Sequence, residues 1–86
     1  MVVDFFGTWC QPCKMMTPTV DKLAESLTGQ AEVVRVDIEE GHEAATKFGV
    51  RTVPTFMVFK DGKPVATKSG AMAHQQLIDW ATAQAA

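Results

Sequence analysis

The sequence has little of what a nucleic-acid or membrane partner would require. Its 86 residues contain 8 Lys and Arg against 10 Asp and Glu, a net charge of −2, with no run of basic residues. Nucleic acid and anionic membrane surfaces are therefore not expected partners. No apolar run approaches the roughly 18 residues that a bilayer span needs, and the N-terminal residues lack the basic start of a signal peptide. We expect no membrane association and a cytoplasmic location.

Cysteine is also scarce, with only Cys10 and Cys13 in the chain. A zinc site needs about four ligands, and the only histidines, His42 and His74, lie far apart in the sequence. No metal is therefore expected within one chain, although a metal shared between two chains is left open. A structural disulfide would close a very small loop and would be unusual in a reducing compartment. Two thiols packed in the core form a third alternative, disfavoured by the Trp, Gln-Pro and Lys around them.

The length predicts a single domain, residues 1–86, with one hydrophobic core. Apolar spacing predicts four strands and three helices. The strands are expected at Val2–Phe6, Glu32–Ile38, Thr55–Phe59 and Pro64–Ser69, and the helices at Cys10–Leu27, His42–Phe48 and Met72–Ala83. Pro18 predicts a kink in the first helix, and Asp61-Gly62 predicts a hairpin turn. The order βαβ, short helix, ββα indicates an α/β fold with a four-stranded mixed sheet and helices on both faces.

The stretch WCQPCK, residues 9–14, stands at the predicted start of the first helix. Cys10 and Cys13 would lie on one helix face, close enough to form a disulfide. The helix dipole and free backbone N–H groups favour the thiolate of Cys10, so we expect an acidic, nucleophilic thiol there. Cys13 would lie one turn deeper and be shielded. A C-x-x-C motif beside a βαβ unit therefore predicts a dithiol–disulfide exchange site.

Three segments resemble the thioredoxin family at matching spacing, over essentially all 86 residues: VVDFFGTWCQPCKMMTP, VRTVPTFMVFKDGK and KSGA. The resemblance implies a thioredoxin-like fold reduced to a minimal βαβ-ββα core, because the family's first strand and first helix have no counterpart here. It also implies a protein-disulfide reductase whose partners are disulfide-containing proteins. A thioredoxin reductase drawing on NADPH, or an equivalent donor, would recycle the dithiol, with no cofactor bound to this chain.

The resemblance assigns catalytic roles to three residues. Cys10 attacks the target, Cys13 resolves the mixed disulfide, and Asp4 is a buried carboxylate beneath the second cysteine that assists its proton transfer. A carboxylate inside the run VVDFF is costly to ionise, so we expect a raised pKa. Arg35 stands where the family commonly has Lys, and it would lower that pKa if it reaches Asp4. The sequence leaves the balance of these effects open.

The pair Val53-Pro54 resembles the family's cis-proline loop, which faces the cysteines. The backbone of Val53 would pair with an extended substrate peptide, so that affinity comes from the main chain. By resemblance, a flat apolar patch surrounds the active sulfur. The substrate-binding residues are expected to be Trp9, Gln11, Pro12, Ile38, Val53, Pro54, Gly70 and Ala71.

Two departures from the family keep alternatives open. Gln11 stands where Gly is usual between the cysteines, and this leaves a disulfide oxidase or isomerase on the same scaffold as one alternative. A thioredoxin-fold binding or scaffold module with a non-essential CxxC is another. Without the family's first strand, the strand at Glu32–Ile38 is expected to become a sheet edge. An exposed apolar face or self-association through that edge should follow.

Overall fold

The computed structural model describes residues 1–85, in which four strands and three helices alternate. They are β1 (Val2–Phe6), α1 (Gln11–Ser26), β2 (Val33–Asp37), α2 (His42–Lys47), β3 (Thr55–Lys60), β4 (Lys63–Ser69) and α3 (His74–Ala85). The strands form one sheet in the order β2-β1-β3-β4. β1 is parallel to β2 and antiparallel to β3, and β3 and β4 form an antiparallel hairpin. The predicted mixed four-stranded α/β fold is confirmed.

The predicted elements are all present, and their ends lie close to the predicted ends. The largest difference is in α3, which was expected from Met72 and begins at His74. Met72 lies in the loop before α3 and packs against the core. Its apolar side chain therefore fitted the helical pattern, although its backbone is not part of the helix. Asp61 and Gly62 have φ values of 53° and 77°, as the predicted hairpin turn requires. Pro18 lies inside α1, and the kink there stays a prediction.

The larger hydrophobic cluster lies between the sheet and the two long helices, α1 and α3. It contains residues from β1, α1, β3 and α3, and several of them are fully buried. Its members are Val2, Met16, Val20, Leu23, Leu27, Phe56, Val58, Leu77 and Ala81. Burying one such side chain contributes about 1.5–3 kcal/mol, so this cluster fixes α1 firmly on the sheet. The start of α1 is thereby held near the carboxyl end of β1.

The opposite face of the sheet carries a smaller cluster, covered by α2. Val3, Phe5 and Met57 form its buried part, and partly buried side chains from β2 and α2 pack against them. An open apolar groove of about 400 Å³ lies on this face, lined in part by Met1 and Phe48. Within residues 1–85, β2 forms one edge of the sheet, as predicted. None of the helices in this part of the chain has the length and apolar character that a membrane crossing requires.

Candidate active site

The two cysteines meet at the start of α1 and are joined by a disulfide bond. Their Cα atoms are 5.3 Å apart. Both residues are nearly buried, with 4% exposure for Cys10 and 2% for Cys13. Exposure alone therefore does not tell which sulfur meets a substrate first, and the prediction of a shielded Cys13 applies to Cys10 almost equally.

The backbone at the start of α1 does distinguish the two sulfurs. Cys10 is the N-cap residue, with extended backbone angles, and its Sγ accepts a hydrogen bond from the Cys13 N–H at 3.1 Å. The first turn of α1 carries no acidic side chain, so nothing in that turn opposes negative charge on the sulfur. A cap sulfur receiving an amide proton at the positive end of a helix is stabilised as a thiolate. Cys10 is therefore the sulfur that receives a backbone amide hydrogen bond at the N-terminus of α1, whereas Cys13 lies inside the helix.

The loop before β3 lies against the Cys10 sulfur. The carbonyl oxygen of Val53 is 3.7 Å from Cys10 Sγ, and the Val53–Pro54 peptide bond is cis. Pro54 is buried, and its carbonyl accepts a hydrogen bond from the Gly70 N–H at 2.9 Å. The structure therefore brings Val53, Pro54 and Gly70 together on one side of the disulfide.

Trp9 extends from the loop before α1 with 64% of its surface exposed. Its indole lies against Gly7, because a Cβ placed on Gly7 would stand 2.9 Å from the ring. The Gly7 carbonyl also accepts a hydrogen bond from the Cys10 N–H at 3.1 Å. Gly7 is thus a site residue that the sequence analysis missed. Its only signal in the sequence is a glycine directly between a buried strand and the Trp-Cys pair.

The remaining residues of the predicted substrate surface fall into two groups. Gln11 and Pro12, in the first turn of α1, and Ala71, after Gly70, are all exposed. Ile38 instead is half-buried and packs against the smaller hydrophobic cluster on the α2 face. Its contact with a substrate stays a prediction.

Asp4 is buried in the middle of β1, and it is paired with Arg35 across the β1–β2 ladder. Asp4 Oδ2 accepts a hydrogen bond from Arg35 Nε at 3.1 Å, while the buried Oδ1 has no hydrogen-bond partner. Burial raises the pKa of Asp4, and the charge and hydrogen bond of Arg35 oppose that rise without cancelling it. The question that the sequence left open is therefore decided in favour of burial.

A groove of about 260 Å³ connects the surroundings of the second cysteine to Arg35. Cys13 and Arg35 both line it, together with Lys14 and Thr17. The Arg35 guanidinium also lies over the Phe6 ring, 4.5 Å from its centre, which fixes the side chain in this groove. Arg35 thus contacts Asp4 on one side and borders the Cys13 groove on the other. Among residues 1–85, no three His, Cys, Asp or Glu side chains are grouped as a metal site requires.

Replacing Arg35 by methionine should raise the pKa of Asp4 further. Both effects that lower this pKa come from Arg35, and methionine keeps an apolar stem while removing the charge. The Arg35→Lys variant is the matched control, because it keeps a positive charge on the same strand position. An NMR titration of the Asp4 carboxyl carbon should give a higher pKa of Asp4 in Arg35→Met than in Arg35→Lys or in the unchanged protein. An unaltered titration in Arg35→Met would show that Arg35 does not act on Asp4.

Comparison with known proteins agrees with the geometry. The thioredoxin family model matches residues 1–83. The chain is 39% identical over 80 residues to a thioredoxin of Rickettsia conorii, a match that spans 93% of this chain and 76% of the relative. It is 43% identical over 77 residues to a thioredoxin of Pseudomonas aeruginosa, spanning 90% of this chain and 71% of the relative. The X-ray structure of Fasciola hepatica thioredoxin superposes with a TM-score of 0.86 at 41% identity, covering 95% of this chain and 77% of that one.

These matches include the strand, turn and helix that carry the two cysteines. The relatives and the capped cysteine pair both identify a thiol–disulfide oxidoreductase of the protein-disulfide reductase type, and the oxidase, isomerase and scaffold alternatives are not favoured. The family model matches nearly the whole chain, and the relatives are about 40% identical to it. Both comparisons therefore indicate the same family. The chain belongs to the thioredoxin family.

Proposed function

We propose that this protein reduces disulfide bonds in other proteins, with Cys10 as the attacking thiol and Cys13 as the resolving thiol. The observation that carries the order of attack is the hydrogen bond from the Cys13 N–H to Cys10 Sγ at the N-cap of α1. In the reduced protein, this amide would stabilise negative charge on Cys10, whereas Cys13 lies within the helix.

The reaction would proceed in two exchanges. The Cys10 thiolate attacks one sulfur of the target disulfide, forms a mixed disulfide with it and releases the other target sulfur as a thiolate. The Cys13 thiolate then attacks the Cys10 sulfur. This step forms the Cys10–Cys13 disulfide and releases the second target thiolate. The target gains two electrons, and the protein ends in the oxidised form that the structure contains.

Asp4 would accept the proton of Cys13 in the second exchange. The pKa of Asp4 is raised, as a base that works near neutral pH requires. Its partner Arg35 borders the same groove as Cys13, which supports proton transfer through solvent in that groove.

The substrate would lie against the loop that carries Val53 and Pro54. The Val53 carbonyl, 3.7 Å from Cys10 Sγ, supports main-chain pairing with an extended peptide next to the reacting sulfur. Trp9, Gln11, Pro12, Gly70 and Ala71 would complete the surface around it, with Ile38 at its margin. Because the main chain supplies much of this contact, we expect broad specificity for disulfide-containing proteins.

A second protein must return the disulfide to the dithiol after each turnover. We propose a thioredoxin reductase that draws electrons from NADPH, or an equivalent donor, with residues 1–86 acting as one domain without a bound cofactor. The dithiol is the active form, so we place the work of the protein in a reducing compartment such as the cytoplasm.

A coupled assay tests this proposal. NADPH, a bacterial thioredoxin reductase, insulin and this protein should together consume NADPH, and omission of any one component should stop the reaction. In a parallel assay, dithiothreitol takes the place of the reductase as electron donor. A protein that is active with dithiothreitol but not with the reductase would show that the reductase is incompatible. An inactive protein in both assays, or one that oxidises reduced peptides in a glutathione buffer, would contradict the proposed direction.

A further inference from the structure

Thr55 is a buried polar residue at the start of β3, directly after the loop that carries Val53 and Pro54. Its exposure is 4%, and residues 56–58, which follow it in β3, are buried and apolar. A hydroxyl in such surroundings is costly unless it forms hydrogen bonds. The partners of the Thr55 hydroxyl therefore indicate what this side chain does.

The Thr55 hydroxyl has a partner in the loop and another on the neighbouring strand. Its Oγ1 donates a hydrogen bond to the Thr52 carbonyl at 2.6 Å and lies 3.3 Å from Ser69 Oγ. A hydroxyl has a single proton, so Thr55 accepts the second bond and Ser69 donates it. Thr55 and Ser69 are direct cross-strand partners on β3 and β4, a position where paired hydroxyls stabilise a sheet. The hydroxyl of Thr55 thus joins the residue before Val53 to the end of β4.

The main chain joins the same two segments a second time. The Gly70 N–H, directly after β4, donates to the Pro54 carbonyl at 2.9 Å. Val53 therefore lies between two residues that are each held by a hydrogen bond, Thr52 on one side and Pro54 on the other. Its own carbonyl oxygen is 3.7 Å from Cys10 Sγ. The position of the Val53 carbonyl relative to the reacting sulfur consequently depends on both bonds.

We propose that Thr55 is a positioning residue, whose hydroxyl holds the Val53 main chain where a target polypeptide can pair with it beside Cys10. This inference rests on the proposed function, in which Val53 binds the target and Cys10 attacks its disulfide. Thr55 acts on the target through Thr52 and Ser69, not through a contact of its own. Without the hydroxyl, the Thr52 carbonyl bonds to water and the loop loses one of its two connections to β4. Small displacements of a positioned group are sufficient to slow a reaction.

Stopped-flow oxidation of the reduced protein by two different disulfides tests the proposal. Insulin offers a polypeptide main chain that can pair with Val53, whereas dithiobis-nitrobenzoate is a small aromatic disulfide without one. Thr55→Val replaces the hydroxyl by a methyl group of similar size, and Thr55→Ser keeps the hydroxyl. Thr67→Val is the matched control, because it makes the same change at an exposed position of β4.

Thr55→Val should react about fivefold more slowly with insulin and stay within about twofold of the unchanged protein with dithiobis-nitrobenzoate, as the loss of a hydrogen bond predicts. Thr55→Ser should retain the insulin rate, and Thr67→Val should change neither rate. Hydrogen exchange of the Gly70 amide should become faster in Thr55→Val, because the loop that carries its acceptor is held less firmly. Ser69→Ala removes only the second bond, at an exposed position, and should show the same selective loss at about twofold. The test therefore does not depend on the folding of Thr55→Val.

Three outcomes would overturn the proposal. They are equal losses with both disulfides, a Thr55→Ser variant as slow as Thr55→Val, and a Gly70 exchange rate that Thr55→Val leaves unaltered. A Thr55→Val variant that matches the unchanged protein with both disulfides would contradict this inference alone. An unchanged protein that reduces neither disulfide would instead contradict the proposed function.

Discussion

Replacing Cys10 by serine should reduce disulfide exchange to the uncatalysed background, whereas replacing Cys13 by serine should yield a protein that reacts once and stops. A serine hydroxyl stays protonated at neutral pH and does not attack a disulfide, so Cys10→Ser has no nucleophile at the helix cap. In Cys13→Ser the capped thiol of Cys10 remains and forms the mixed disulfide. No second thiol is present to resolve it, so the adduct accumulates.

Intact-protein mass spectrometry after incubation with insulin distinguishes the two variants. Cys13→Ser should gain the mass of a disulfide-linked insulin chain, and Cys10→Ser should gain none. Met15→Ser serves as the control, because Met15 is an exposed sulfur-containing residue on the same helix and should retain full turnover. Sustained turnover in either cysteine variant, or an adduct on Cys13 in Cys10→Ser, would reject the assigned order of attack.

The fold was predictable where a single physical pattern determines an element. The apolar run of β1, broken only by Asp4, and the helical spacing of α1 predicted both elements to within a residue. The start of α3 was less accurate because Met72 enters the core from a loop, and burial alone does not require helical backbone. Patterns of hydrophobicity report which side chains are buried, and only indirectly the backbone that carries them.

The site was predictable where its geometry is local in sequence. Two cysteines three residues apart at a helix start must lie together, whatever the rest of the chain does. The net effect of burial and of Arg35 on the pKa of Asp4 could not be predicted in the same way. It depends on the β1–β2 register, which places Asp4 beside Arg35, 31 residues away. It also depends on how completely the helices exclude water from Asp4. Such competing effects are decided by tertiary packing.

Replacing Asp4 by asparagine should stabilise the protein at neutral and alkaline pH. The folded-state pKa of Asp4 lies above its unfolded-state value, so the folded protein binds the proton more tightly. The stability from this group is fully present below about pH 4 and is lost as the pH rises through the folded pKa. Asparagine cannot ionise, so the Asp4→Asn variant does not lose this stability as the pH rises. The gain above the folded pKa should be about 1.4 kcal/mol for each unit by which the pKa is raised.

Urea unfolding of the oxidised protein at several pH values measures this gain. The free energies of unfolding of the two proteins should agree near pH 4 and diverge as the pH increases, with Asp4→Asn the more stable. Asp21→Asn, at an exposed position of α1, is the matched control and should show no such separation. A constant difference at every pH would indicate altered packing instead of ionisation.

The same substitution should slow the resolving step, because asparagine cannot accept the proton of Cys13. We expect release of a preformed mixed disulfide to slow at least about tenfold near neutral pH, since general bases commonly contribute more than that. The defect should shrink at alkaline pH, where Cys13 loses its proton to hydroxide without help. Stopped-flow measurement of target release against pH provides this profile. A defect of equal size at every pH would assign Asp4 a structural role, because only a proton acceptor becomes dispensable when hydroxide replaces it.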